Sequence, residues 1–341
     1  MSDNTCSRDE TFDVLKGIAI ILVIVGHCNL SVYLDSVIDS FHMPLFFFVA
    51  GYFLKERPLK EEFSLCIKRL ILPYVFVAFC ATFIAMCIDL AHYTWADGSY
   101  TQGKIISYLL GYNGQINPSW IPGGGNGMLW FLLAMFWARM ITLFFLKKIK
   151  SNYLVGLLTF LLAVVGVFII RLFPIPFCIP QGLCAVGFVF VGYLMKKNGV
   201  LESSTSTKVF PFLAILWLGS VGFRGVAMFK CSFPMGYVFG LLGALGAFWA
   251  LHTIVKKLYN SESFLWRSML FWGKYSIVFY CVHAIDKTFF NWKAIAVLHH
   301  VPLEYFGLFQ PIARLSFAFL FAIVLLEIKP IREQIFQIKG R

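Results

Sequence analysis

Long runs of apolar residues constrain this chain more than any other feature. Residues 12–28 and 154–170 are nearly free of charge, and about 20 such residues in a helix cross the hydrocarbon of a bilayer. In hydrocarbon each backbone N–H and C=O must be paired within its own segment, so these runs fold as helices. Ten of them fall at roughly 12–29, 38–54, 70–92, 128–146, 153–171, 179–195, 209–228, 235–255, 270–290 and 305–327. The expected fold is an all-α, multi-pass integral membrane protein, with about ten transmembrane helices in one bundle and a single domain over 1–341. Composition agrees. Asp, Glu, Lys and Arg make up 13% of the chain and its mean hydropathy is +0.77, against about 25% charged residues in soluble domains. An ordinary cytosolic enzyme and a disordered chain are both excluded.

The net charge of +12 orients the bundle. Of the 29 Lys and Arg, 20 fall on one side of the span map, six on the other, and Lys16, Arg139 and Arg314 inside spans. Basic loops stay in the cytoplasm, so both termini are expected there. The excess faces anionic lipid, and no nucleic-acid partner is implied. Nine cysteines are scattered with no CxxC pair, so neither a disulfide framework nor a metal site is expected. The opening MSDNTCSRDE lacks a basic n-region, which predicts that the first span is retained. The segment 93–127, rich in Gly, Pro, Asn and Trp, reads as a loop at the outer interface. Within it Gly123, Gly124 and Gly125 lack the strand, helix and Lys of a phosphate-binding loop. The mixed charge of 55–69 predicts a short interfacial helix on the inner side.

Ionisable side chains inside spans are expensive and mark candidate sites. The first span reads DVLKGIAIILVIVGH from Asp13 to His27, with Lys16 and His27 eleven residues apart. At about 100° per residue they share one helix face, roughly 16 Å apart along the axis. Asp13 lies one turn before Lys16 and can pair with it. Gly17 and Gly26 permit a neighbouring helix or a ligand to come close. His27 is either a general base for a hydroxyl or a helix–helix hydrogen-bond partner; Lys16 either serves the site or snorkels to inner headgroups. His42, two residues before Pro44 at the start of the second span, meets His27 across a short loop or sits among headgroups. Arg139, mid-span, binds a phosphate or pairs with an acid. His283, followed by Asp286, is a weaker site candidate and reads more readily as a helix–helix hydrogen bond. Asp89, His252 and Arg314 read as structural, and His299–His300 as solvated loop residues.

Six blocks resemble the membrane acyltransferase-3 family in order and spacing: DVLKGIAIILVIVGH, FHMPLFFFVAGYF, Lys68–Arg69 running to Pro73–Tyr74, LWFLLAMF, PFCIPQGLCAVGFVFVGYL and GKYSIVFYCVHA. The resemblance covers essentially the whole chain and is nearest to bacterial proteins like the fucose and enterobacterial-common-antigen O-acetyltransferases. It implies a ten-helix enzyme of the plasma (inner) membrane. Such an enzyme takes acetyl, or sometimes succinyl, from its coenzyme A thioester as co-substrate and passes it to a hydroxyl of a cell-surface carbohydrate. The family's Arg-x10-His motif falls on Lys16 and His27, which implies catalytic roles for both. Lys keeps the charge of Arg but loses its bidentate fork. The Phe-Phe-x-x-Ser-Gly motif ends on Ala50 and Gly51, so the hydroxyl common in the family is absent here. His42, Arg139 and His283 are then the candidates for holding acyl-CoA or the acceptor, and no metal is implied. The competing class is a transporter or flippase for a lipid-linked glycan or small solute. It calls for internal repeats and buried carboxylates, and the spans contain few acids.

Overall fold

The computed structural model describes residues 9–28, 30–91, 99–112, 125–202, 206–223 and 225–338. Among them the protein is all-α, with a lone antiparallel bridge between Ala227 and Ser232. Helix α1 (Glu10–Val25) begins at Asp9, whose carboxylate accepts the Thr11 N–H at 3.0 Å and so satisfies one free donor of the first turn. A short α2 (Val32–Asp39), capped by Ser31, precedes α3 (His42–Tyr52), and Phe41 breaks the helix between them at φ −146°. The 38–54 run is thus the second half of a jointed element, because local capping outweighs continuous hydropathy.

The inner segment 55–69 does form a helix, α4 (Leu59–Cys66), but it is no separate interfacial element. It passes through a π-helical turn (Ile67–Ile71) directly into α5 (Leu72–Ala91), a continuous stretch of 33 residues. The wide turn lies just before Pro73, whose missing N–H interrupts the regular ladder. The expected 93–127 loop is also corrected in part. Residues 92–98 and 113–124, with Gly123 and Gly124, lie outside the described residues, but between them stands α6 (Ser99–Leu110). Asp89 of α5 accepts hydrogen bonds from the Thr101 N–H and hydroxyl at 3.0 and 2.6 Å, which anchors the start of α6 from a neighbouring helix. Tyr74 donates to the Tyr108 carbonyl at 2.6 Å further along. The structural reading of Asp89 has this physical content.

The remaining helices are α7 (Trp130–Lys148), α8 (Asn152–Leu172), α9 (Ile179–Lys197), α10 (Ser206–Gly222), α11 (Tyr237–Leu258), α12 (Phe264–Lys274), α13 (Ser276–Phe289), α14 (Trp292–Leu298) and α15 (Phe306–Glu327). Each of the ten expected spans meets a helix. Seven helical stretches among the described residues are long and apolar enough to cross a membrane; α1, α10 and α13 are shorter. The outward faces stay apolar, with Phe79 71% and Leu308 70% exposed, as suits a bundle whose solvent is lipid.

Helix α1 is at the centre. It packs against α3, α11, α12, α13 and α15, and Val14, Leu15, Ala19 and Ile24 are fully buried. Its closest contact, with α12, depends on glycine. A Cβ on Gly17 would lie 2.0 Å from the Met269 carbonyl oxygen, and one on Gly273 would lie 1.6 Å from that of Asp13. Backbone therefore touches backbone at the Lys16 end of α1, the close approach expected of Gly17.

The basic helix ends gather at one end of the bundle. Tyr259, just past α11, donates to Glu10 at the start of α1 at 2.6 Å. Lys196 of α9 lies over the Tyr52 ring of α3 at 5.0 Å, and Tyr193 bonds Glu56. Lys147, Lys148, Lys256 and Lys257 close α7 and α11 in the same sense.

Candidate functional site

A cavity of about 280 Å³ lies among α1, α3, α4, the π turn, α7 and α13. Toward the basic end its wall carries Lys16, Arg57, Arg69 and Arg139, with Glu62 the lone carboxylate among the lining residues. Further in, Ile20, Met43, Phe131 and Tyr280 make it apolar. Glu62 is fully buried. Arg139 donates to its Oε1 from Nε at 2.8 Å and from Nη2 at 2.5 Å, and from Nη1 to the Ala50 carbonyl at 3.1 Å. Arg57 Nε approaches the other carboxylate oxygen at 3.2 Å. Of the two sequence readings of Arg139, the structure pairs it with an acid, and the guanidinium still forms part of the cavity wall. Lys16 Nζ lies 2.6 Å from Asp13 Oδ1, the pairing expected one turn apart. Asp13 beside Lys16 and Glu61 beside Arg57 offset part of this charge, and the four cations still exceed the three carboxylates by one, which leaves the wall net positive toward an anionic ligand.

The histidines gather toward the opposite end. Helix α1 stops at Val25 and tightens: Gly26 N bonds Leu22 O at 2.8 Å, whereas His27 N bonds Ile24 O at 3.3 Å. His27 therefore stands just past the helix, half-buried, and Lys16 and His27 mark opposite ends of the element, as the spacing implies. The His27 ring stacks on His283 of α13, with ring centroids 5.5 Å apart and planes inclined by 29°. His42, Lys287 and Arg314 complete the electrostatic surroundings of His27. His42 opens α3, and its Nδ1–H donates to the Ile38 carbonyl at 2.6 Å.

His283 is fully buried, and its Nδ1 lies 2.9 Å from Asp286 Oδ2. Asp286 is itself held by the Trp292 indole N–H at Oδ1 and by Arg314 Nη1, 3.5 Å from Oδ2. Among the described residues His283 Nε2 has no hydrogen-bond partner, and neither do Arg314 Nε and Nη1. No histidine is among the residues that line the cavity, but two lining residues are near them in the chain: Met43 follows His42 in α3, and Tyr280 is one turn before His283 in α13.

The structure thus places Lys16 and Arg139 on the cavity, and His27, His42 and His283 in the second group. Sequence reasoning missed Glu62, Arg57 and Arg69 as cavity residues. The signal was present: positions 62, 66 and 69 share one face of a helix, and Glu62 and Cys66 are both buried while Phe63 is 48% exposed. It also undervalued Asp286, Trp292 and Arg314. A carboxylate three residues after a histidine on a helix is the detectable part of that network, whereas the partners from α14 and α15 are set by packing alone. His252 packs between the Phe12 and Phe248 rings, in keeping with its structural reading. Among the described residues no cluster of three His, Cys, Asp or Glu side chains is arranged to hold a metal ion.

Comparison with known proteins gives partial and full-length likenesses. Nodulation protein NolL of Sinorhizobium fredii is 35% identical over 85 residues, 20% of this chain and 23% of that protein. NolL of Mesorhizobium japonicum is 38% identical over 88 residues, 21% of this chain and 23% of that protein. The chain thus spans under a quarter of the length of these relatives. No solved structure matches. The acyltransferase-3 family, described as an acyltransferase domain, matches residues 9–326, which take in α1 through α15 almost entire, both the cavity and the histidine group included. By that match the chain belongs to the acyltransferase-3 family of acyltransferase domains.

Proposed function

We propose that the protein is a membrane O-acyltransferase. It moves an acetyl group from acetyl-CoA to a hydroxyl of a cell-surface carbohydrate (a polysaccharide, lipopolysaccharide or lipid-linked glycan) at the plasma (inner) membrane of a bacterium. In this reading the chain crosses the bilayer ten times with both termini in the cytoplasm, and the basic end faces the acyl-CoA pool. A histidine of the His27–His283 pair is the general base, His27 being the one that the family motif names.

The observation that carries the reading is the cavity. Its cation-lined outer part suits the phosphates of coenzyme A, and its apolar inner part suits a slender chain ending in a thioester. About 280 Å³ is just under the usual span of small-ligand sites, roughly 300–1,000 Å³. The pantetheine arm then enters while the nucleotide stays with Lys16, Arg57, Arg69 and Arg139 at the mouth. Direct transfer supplies its rate by orientation and by a base near the hydroxyl.

The test is the base-labile O-acetyl content of the purified surface glycan, read by proton NMR. Three strains are compared: one lacking the protein, one complemented with wild type, and one with His27→Ala at matched membrane abundance. Acetyl signals are expected to vanish on deletion, return with wild type and stay absent with His27→Ala. A glycan that keeps its acetyl groups but changes in exported amount would replace this reading with the transporter class.

A further inference from the structure

The unpartnered nitrogen of His283 is the feature that the reading so far leaves unused. A neutral imidazole has one N–H and one bare lone pair, and the bond made by one nitrogen fixes the character of the other. His283 Nδ1 faces a carboxylate at 2.9 Å, so the proton is on Nδ1 and the lone pair on Nε2. That lone pair is buried with no partner among the described residues. Burying an acceptor without a hydrogen bond costs roughly 1–3 kcal/mol, so the atom has use for a donor that arrives from outside. Asp286 is not free to swing away, because Trp292 of α14 and Arg314 of α15 grip it from two other elements. A carboxylate that orients an imidazole, whose other nitrogen addresses a hydroxyl, is the arrangement of a general base. His27, the histidine marked by the sequence, has no such orienting acid among its electrostatic neighbours: His283, Lys287, His42 and Arg314.

The geometry points to His283 as the catalytic base of the acyl transfer, with Asp286 its positioning residue and the neighbouring His27 serving the acyl carbonyl. This rests on the acyltransferase reading above and assigns the proton within it. The two rings lie with centroids 5.5 Å apart and planes inclined by 29°, so both imidazoles belong to one group and their in-plane nitrogens can address the same substrate. In the step, the acceptor hydroxyl oxygen forms a bond to the thioester carbonyl carbon while its proton moves to His283 Nε2. The carbon–sulfur bond breaks, and the thiolate leaves and takes that proton from His283. Alcohol and thioester become ester and thiol, and both histidines end neutral. His27, through a ring N–H, polarises the carbonyl oxygen where charge develops.

The experiment uses the full-length protein in nanodiscs, radiolabelled acetyl-CoA, and surface glycan purified from a strain lacking the protein. His283→Gln is expected to lower the maximal transfer rate about 100-fold or more, with the acetyl-CoA KM changed less than about threefold. Asp286→Asn, which offers Nδ1 an amide in place of a carboxylate, is expected to fall similarly, and Asp286→Glu to recover about a tenth of wild type or more. Free imidazole is expected to restore part of the rate of His283→Ala, a response that a purely structural histidine does not give. The pH profile separates the two imidazoles. The groups around His283 are Asp286 and Lys287 of α13, His27 past α1 and Arg314 of α15. Wild type and His27→Gln are expected to lose rate as pH falls, and His283→Gln to lose that limb. Rates of His283→Gln and Asp286→Asn within about threefold of wild type, or a pH limb that disappears with His27→Gln instead, overturn the assignment. A wild-type protein that transfers no label overturns the acyltransferase reading itself, and the assignment falls with it.

Discussion

Glu62 is the residue on which the cavity mouth turns, because one buried carboxylate answers two guanidiniums. Removing one member of a buried ionic set leaves the others uncompensated, at about 3–5 kcal/mol. Glu62→Gln is therefore expected to lower the unfolding midpoint of the detergent-solubilised protein markedly. The double variant Glu62→Leu with Arg139→Met replaces the ion pair by apolar packing and is expected to regain most of that stability. Its acetyl-CoA KM is expected to rise all the same, because the wall has lost a cation. Equal KM values for the double variant and wild type would remove Arg139 from the donor site. Lys16 makes a cleaner probe, since it is partly accessible and pairs only locally with Asp13. Lys16→Met is expected to raise the acetyl-CoA KM several-fold with kcat little changed, the signature of lost ground-state binding. At this scale the sequence named Lys16, His27, His42, Arg139 and His283 from charge and imidazole inside apolar runs. It ranked His283 below the others, because Trp292 and Arg314, which hold Asp286 beside it, come from other helices, as Glu62 does for Arg139.

Among the elements, α1 and α12 are the pair whose contact the site can least lose. Their backbones meet at Gly17 and Gly273, within one turn of Lys16. A methyl at either position runs into a carbonyl oxygen rather than a flexible side chain, so relief requires the helices to part. Overpacking costs about 1–3 kcal/mol where side chains can give, and this contact lies at the upper part of that range. Gly273→Ala is accordingly expected to lower thermal stability and transfer activity together while membrane insertion continues; unchanged stability would show the helices free to separate. Helix positions were legible from hydropathy, since lipid enforces the pattern throughout the bundle. Joints were not. The breaks at Phe41 and at Tyr275 between α12 and α13 lie inside expected spans, and the π turn before Pro73 runs across the start of another; mean hydropathy carries no record of where a helix bends. Helix α6 was missed for a related reason: the Gly- and Pro-rich residues around it mask twelve residues with helical spacing.

For the whole molecule, the two-ended arrangement is the central claim. Cations and a cavity stand at the basic end, and the histidine group stands toward the other, with α1 joining them through Lys16 and His27. The Lys and Arg distribution supplies the expected orientation, whereas the cavity depends on six elements closing around it and has no signature in any one of them. In the proposed reading acyl transfer is vectorial, with the donor entering from one face only. The most direct measurement supplies labelled acetyl-CoA to sealed membrane vesicles of defined orientation that contain wild-type protein or His27→Ala, and follows label in the glycan fraction. The account predicts incorporation with wild type in inside-out vesicles, none in sealed right-side-out vesicles, and none with His27→Ala in either. Equal incorporation from both orientations, or label that persists undiminished with His27→Ala, would contradict it.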